Sequence, residues 1–194
     1  TAAPVSACLL PVGTDCGVRI MRILVTGATG LLGNNVVREL LDLPLRPRVL
    51  VRETSDPRSL EGLDVEHVAG DIRDASAVSA ACQDMDVIIH AAGYVKIGWS
   101  NPELYHEINV QGTEHVARMA QEQGARLIHV STVNTLGVVT ADSAADEESS
   151  TLPIIPCPYV ESKRAAEERI RERVPQGLDA VIVHPGFMLG PWDW

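Results

Sequence analysis

Residues 23–37, ILVTGATGLLGNNVV, decide the fold. The first three are apolar and the first four rich in branched side chains, as in a buried strand, and from Leu31 onward apolar residues recur at helical spacing. Gly27, Gly30 and Gly33 sit where strand turns into helix. Glycine suits that turn because the backbone needs positive φ, an anion must approach bare backbone, and the helix must pack closely on the strand. Gly27, Thr29, Gly30, Leu31, Leu32 and Gly33 therefore form a candidate pyrophosphate cradle at a helix N-terminus. The spacing, GxxGxxG, is one residue longer than the usual dinucleotide fingerprint, so its weight comes from its position between strand and helix.

Outward from this stretch the same alternation repeats. Short apolar runs predict strands at 23–26, 49–51, 65–68, 87–90, 127–130 and 180–183. Segments with apolar residues at i, i+3 and i+4 predict helices at 31–43, 75–82, 102–123 and 159–173. Strands alternating with helices specify an α/β fold, a Rossmann-type doubly wound parallel sheet with helices on both faces. The strands are nearly all apolar, which predicts cover on both faces. Ligands on such sheets bind at the carboxyl ends of the strands, where every motif below falls.

The 194 residues, 45% of them apolar, suffice for one core and not for two full-sized domains. Residues 1–20 lack the basic start and unbroken apolar run of a secretory signal and read as a loose tail, with Met21 as the natural start and 21–194 as the folded unit. A net charge of −10 argues against nucleic acid or an anionic membrane as partner. No apolar run reaches the ~20 residues that cross a bilayer. Cys8, Cys16, Cys82 and Cys157 are scattered without ligand or redox spacing, so no metal site is expected and the setting reads as cytoplasmic. Residues 142–158, acidic and then proline-rich, form a long connection leading to Tyr159.

The strongest chemical signal is YVESK, residues 159–163, at the start of a helix. Positions i and i+4 put the Tyr159 phenol and the Lys163 ammonium on one face. A phenol of pKa near 10 must move by about 4 kcal/mol to exchange protons at pH ~7. A cation ~4 Å away at an effective dielectric of ~20 supplies about that much, so Lys163 together with an oxidised nicotinamide ring is expected to lower the Tyr159 pKa. Ser131 and Thr132 close the fifth strand and offer a hydroxyl to a substrate oxygen, or simply bond to backbone.

At the end of the second strand Arg52 stands where an acidic residue would meet ribose hydroxyls. A guanidinium there fits a 2′-phosphate, favouring NADP with NAD as the other possibility, unless it is an ordinary strand-end arginine. Asp71 is placed to accept from an adenine amino group, with Ile72 against the ring, or to serve as a turn aspartate. Ala91, Ala92 and Gly93 let the chain pass close beneath a cofactor. His90 reads as a structural strand-end residue rather than a catalyst. Tyr94 and Trp99 read as surface or core more readily than as a substrate wall.

Together TGATGLLG, GDIRD, HAAG, INVQGT, STVNTLG, YVESK and HPGFMLGP resemble the extended short-chain dehydrogenase/reductase superfamily, also described as the NAD-dependent epimerase/dehydratase family, in its dihydroflavonol reductase-like branch. The resemblance runs from Met21 to the end. It implies a catalytic trio of Thr132, Tyr159 and Lys163, with Ser131 as the second hydroxyl. It further implies that Asn109 braces the cofactor side and that His184, Pro185 and Gly186 pass near the nicotinamide. Sugar dehydratases of the superfamily carry an acidic pair after the threonine, where this chain has Val133 and Asn134, which leaves no acid or base for removing water. Extended members continue past the GP turn into a substrate domain, so the chain is expected to correspond to the cofactor half.

The expectation is an NADP-preferring oxidoreductase acting on a small-molecule ketone or secondary alcohol. The alternatives are an NAD-dependent sugar-nucleotide epimerase and, in another class, a non-catalytic NADP-sensing protein. A homodimer through the helices at 102–123 and 159–173 is a further expectation.

Overall fold

The computed structural model describes residues 20–96, 101–137, 146–147 and 155–192. Trp99, residues 1–19 of the predicted tail and most of the acidic connection lie outside these. Six strands form one parallel sheet in the order β3-β2-β1-β4-β5-β6, with β1 Ile23–Thr26, β2 Arg48–Val51, β3 Glu66–Ala69, β4 Val87–His90, β5 Arg126–Val130 and β6 Ala180–Val183. That order reverses between β1 and β4, the point at which doubly wound sheets open a ligand crevice. Thr26 pairs with His90 in register, so the two strands end side by side.

Helices α1 Leu31–Leu41, α2 Ala75–Cys82, α4 Gly112–Gln123 and α5 Pro158–Arg173 make the crossovers, and α3 Pro102–Tyr105 precedes α4. Each is placed by local chemistry. Asp74 caps α2 by accepting from the Ser76 and Ala77 amides, and Pro158 opens α5 at a position where its missing N–H costs nothing. The predicted helix at 102–123 is continuous but not uniform. Between α3 and α4, His106–Gln111 is π-helical, a local widening that turns Asn109 into the interior, where it is 1% exposed.

Alternation along the strands builds two cores. Leu24, Ile88 and Leu127 face α2, α4 and α5, packing with Val78, Val116, Ala117 and Ile170. Ile23, Val25 and Val49 face α1 and pack with Val37, Leu60 and Val65. Each such side chain contributes about 1.5–3 kcal/mol on burial.

The expectation that every strand is covered on both faces fails at the sheet edges. β1 is buried throughout, but Glu66 and His67 of β3 are exposed. Val181 and Val183 of β6 are 44% and 38% exposed. Among the described residues α1 covers β1 and β2, and no second helix lies on the same face over β5 and β6.

Candidate active site

The glycine turn is shaped for bare backbone. Gly27 has φ +74°, and a Cβ there would lie 2.6 Å from the Ala92 nitrogen and 2.7 Å from the Ala91 carbonyl. A Cβ on Gly33 would overlap the Gly27 carbonyl oxygen. α1 follows with no side-chain cap and no acidic residue in its first turn. The leading amides of a helix have no intrahelical acceptor and carry the positive end of its dipole, so this terminus suits an anion.

A cavity of about 220 Å³ opens over this turn, lined among others by Gly27, Thr29, Gly30, Arg52, Asp71, Ile72, Ala91, Ala92 and Gly93. Nine predicted cofactor contacts thus converge on one space. The residues fit the dinucleotide expected from the sequence: an uncapped helix end for phosphates, small residues beneath, and Arg52 at the far side. No hydrogen bond or ion pair among the described residues engages the exposed Arg52 guanidinium. Asp71 is clasped by Arg73 at 2.8 and 3.1 Å, and that pairing chiefly holds its carboxyl below the usual range. Ser55 and Tyr94 also line the cavity; the sequence reading missed the first and set aside the second.

Leu31, Leu32 and Gly33 start α1 but do not line that cavity. Nor do Asn109, Tyr159, Lys163 or residues 184–186. Asn109 instead ties the strand-β4 loop to α5: its side chain accepts from the Tyr94 amide at 2.7 Å and donates to the Tyr94 carbonyl and the Ser162 hydroxyl. The Pro185 carbonyl accepts from the Val133 amide at 3.1 Å. His184 is buried against Glu167, with its Nε2 3.3 Å from a carboxylate oxygen.

His90 is structural, as its sequence position suggests. The Thr26 hydroxyl donates to Nδ1 at 2.7 Å, Nε2–H donates to Thr113 at 3.0 Å, and Thr113 donates to the Asn109 carbonyl at 2.6 Å. That chain requires a neutral ring, and burial depresses its pKa to about 3.

Thr132 and Tyr159 meet at the carboxyl edge of the sheet, where the threonine hydroxyl favours the ionised phenol. Burial raises the Tyr159 pKa more than the threonine lowers it, so the group is a neutral phenol. The Lys163 ammonium turns inward, donating to the Val130 carbonyl at 2.6 Å and lying 3.2 Å from His129 Nε2. The i, i+4 spacing sets the helix face but not where a flexible ammonium points, and here it meets the end of β5.

Glu167, one turn beyond Lys163, was not singled out from the sequence. It is 1% exposed and collects hydrogen bonds from Ser131, from Thr135 at 2.6 Å and from Arg171 at 2.8 Å. Ser131 thus bonds to a buried carboxylate rather than pointing to a substrate. An acidic residue on the inward face of α5 was the signal, since buried carboxylates demand partners.

Residues 23–193 match the model of the NAD dependent epimerase/dehydratase family, and the chain belongs to that family. It is 34% identical over 176 residues to sterol demethylase protein B of Methylococcus capsulatus, covering 90% of this chain and 53% of that protein. It is also 34% identical to a putative dihydroflavonol 4-reductase of Synechocystis sp., over 87% of this chain and 50% of that protein. Among solved structures, DesIV of Streptomyces venezuelae, a dTDP-glucose 4,6-dehydratase determined with NAD bound, superposes with a TM-score of 0.78 at 32% identity, over 89% of this chain and 58% of that one. The chain spans about half the length of the curated relatives it matches.

Proposed function

We propose that this family member is the cofactor-binding portion of an NADP-preferring oxidoreductase that interconverts a small-molecule ketone and secondary alcohol. The observation carrying the reading is the cavity over the glycine turn, lined by Gly27, Thr29, Gly30, Arg52 and Asp71, on the same carboxyl edge of the sheet where Thr132 and Tyr159 meet. Gly27, Thr29, Gly30 and the first turn of α1 would hold the pyrophosphate, Asp71 and Ile72 the adenine, and Arg52 with Ser55 the 2′-phosphate. When bound, the nicotinamide supplies or accepts the hydride. Thr132 orients the substrate oxygen, Tyr159, kept neutral by burial, gives its phenolic proton to the oxygen as negative charge builds there, and Lys163 would hold the ribose and, with the oxidised nicotinamide, lower the phenol's pKa. Asn109 keeps the backbone beneath the cofactor fixed to α5, and residues 184–186 would pass near the nicotinamide.

Val133 and Asn134, in the short 3₁₀ turn after Thr132, supply no acid or base for dehydration. The dehydratase activity named for DesIV is therefore not carried over. A homodimer through α4 and α5 belongs to the same proposal and would appear as a doubled mass in sedimentation.

The test is titration of the intact protein with NADPH and NADH, with turnover followed in a Tyr159→Phe variant. NADPH binding at least tenfold tighter, about 1.4 kcal/mol, with loss of that preference in Arg52→Ser, supports the proposal. Preference for NADH, with tightly retained NAD, favours the epimerase, and unimpaired turnover in Tyr159→Phe overturns the catalytic assignment. Binding without turnover of any carbonyl favours a sensing protein.

A further inference from the structure

His129 lies on β5 at a position facing α5, fully buried, with its ring 5.3 Å from that of His90. The two histidines are not equivalent. His90 has a partner on each nitrogen, whereas the polar contact of His129 is Lys163 Nζ at 3.2 Å, and its Nδ1 is buried without a partner. An orphaned buried ring nitrogen is costly, and leucine or valine would fill this strand position without that cost. What histidine adds here is an acceptor for the lysine.

We propose that His129 is a positioning residue for the oxidoreductase read above, on which this inference rests: its neutral imidazole and the Val130 carbonyl together fix the Lys163 ammonium at the end of β5, two residues from Thr132. Accepting through Nε2 requires the proton on Nδ1, the orphaned atom. The groups facing the pair are Glu167 on α5, His90 on β4 and His184 after β6. Burial and then the Lys163 charge hold the His129 ring well below its ordinary pKa, so it stays an acceptor wherever Lys163 is charged. Burial brings Lys163 down to about 8, against the favourable charge of Glu167. The ammonium is thus close to losing its proton in the working range, and an acceptor on Nζ keeps it charged and in place.

The chain carries two lysines, Lys96 and Lys163, so ¹⁵N-lysine labelling with a Lys96→Arg control assigns the Lys163 Nζ titration directly. His129→Leu is expected to lower that midpoint by about one unit, a tenfold loss of proton affinity. His129→Gln, which keeps an acceptor, should restore it. In the intact enzyme, His129→Leu should reduce kcat with a smaller change in KM for the cofactor, and the kcat pH profile should move with the Nζ midpoint.

An unchanged midpoint in the leucine variant, or equal damage from glutamine and leucine, would overturn the proposal. Should the leucine variant not fold, ¹⁵N shifts of His129 in the wild-type protein decide the matter: the Nδ1–H tautomer is expected, and Nε2–H refutes it. These resonance readouts need no activity. A shifted midpoint without carbonyl reduction would sink the functional reading alone. Turnover lost in Tyr159→Phe alongside an Nε2–H tautomer would sink this inference alone.

Discussion

Replacing Glu167 by alanine removes a carboxylate on which groups from α5, the β5 end and the segment after β6 converge. Ser131, Thr135, Arg171 and His184 all address it. Two of these are buried hydroxyls, and each unsatisfied buried group costs about 1–3 kcal/mol. Removing one partner of a buried charged cluster costs about 3–5 kcal/mol, so we expect Glu167→Ala to lose about 4 kcal/mol. That is a large part of the ~5–15 kcal/mol that stabilises a typical protein. At ~2–4 °C per kcal/mol for a chain of this size, Tm should fall by about 8–16 °C. Glu167→Gln keeps an oxygen for the hydroxyls and should lose only about 1–2 kcal/mol.

The sign of the pH dependence is fixed by the carboxyl. Burial alone would raise its pKa, but Ser131, Thr135, His184 and Arg171 together bring it below the ordinary 4.5. A depressed acid stabilises the fold fully above its unfolded value and loses that contribution as pH falls through the folded one. The gap between wild type and Glu167→Gln in urea unfolding should therefore be constant above pH 4.5 and shrink below it. A Glu167→Ala protein within about 1 kcal/mol of wild type, or a gap that does not narrow in acid, would refute the reasoning.

Other expectations are equally direct. Gly33→Ala places a methyl onto the Gly27 carbonyl, and since backbone must move to admit it, stability should fall by about 2–3 kcal/mol with weaker NADPH binding; an unchanged melt contradicts this. Burial pushes the Cys82 thiol to about 12, so iodoacetamide at mildly alkaline pH should label it only after unfolding, and labelling mapped to Cys82 in the native protein would show the site is open. Lys163 titrates near 8 when folded against 10.5 when not, so the unfolded chain binds more protons in that window and stability should rise across it by up to about 3 kcal/mol. Lys163→Met should show no such rise, and a flat wild-type profile would mean that the ammonium is hydrated.

Strand positions were legible because branched apolar runs bounded by turn residues have few other readings, and all six strands appear within a residue or two of expectation. The π-helical stretch at His106–Gln111 was not legible, since one widened turn barely disturbs apolar periodicity. The cofactor cradle was legible in its glycines because their role lies in the backbone, which spacing describes. The Lys163 contact was not: the helix face follows from i, i+4 spacing, but whether a long side chain reaches outward to the phenol or inward to a carbonyl depends on neighbours from β5. His129 carried a usable signal, a polar ring in step with inward-facing Leu127, as did Glu167 on the inward face of α5.

These two residues also show how the site is held. α5 carries Tyr159, Lys163 and Glu167 at four-residue steps, each turned about 40° from the last, so the row winds slowly along one face. Each member meets a different part of the β5 end: the phenol meets Thr132, the ammonium meets the Val130 carbonyl and His129, and the carboxylate meets Ser131 and Thr135. The side chains proposed for proton transfer and the carboxylate that stabilises the junction thus alternate with one another along a single contact. Loosening Glu167 must then relax the placement of Ser131, and with it the adjoining Thr132. A variant weakened at Glu167 should lose turnover by more than its unfolded fraction explains, and adding cofactor should recover only the part due to unfolding.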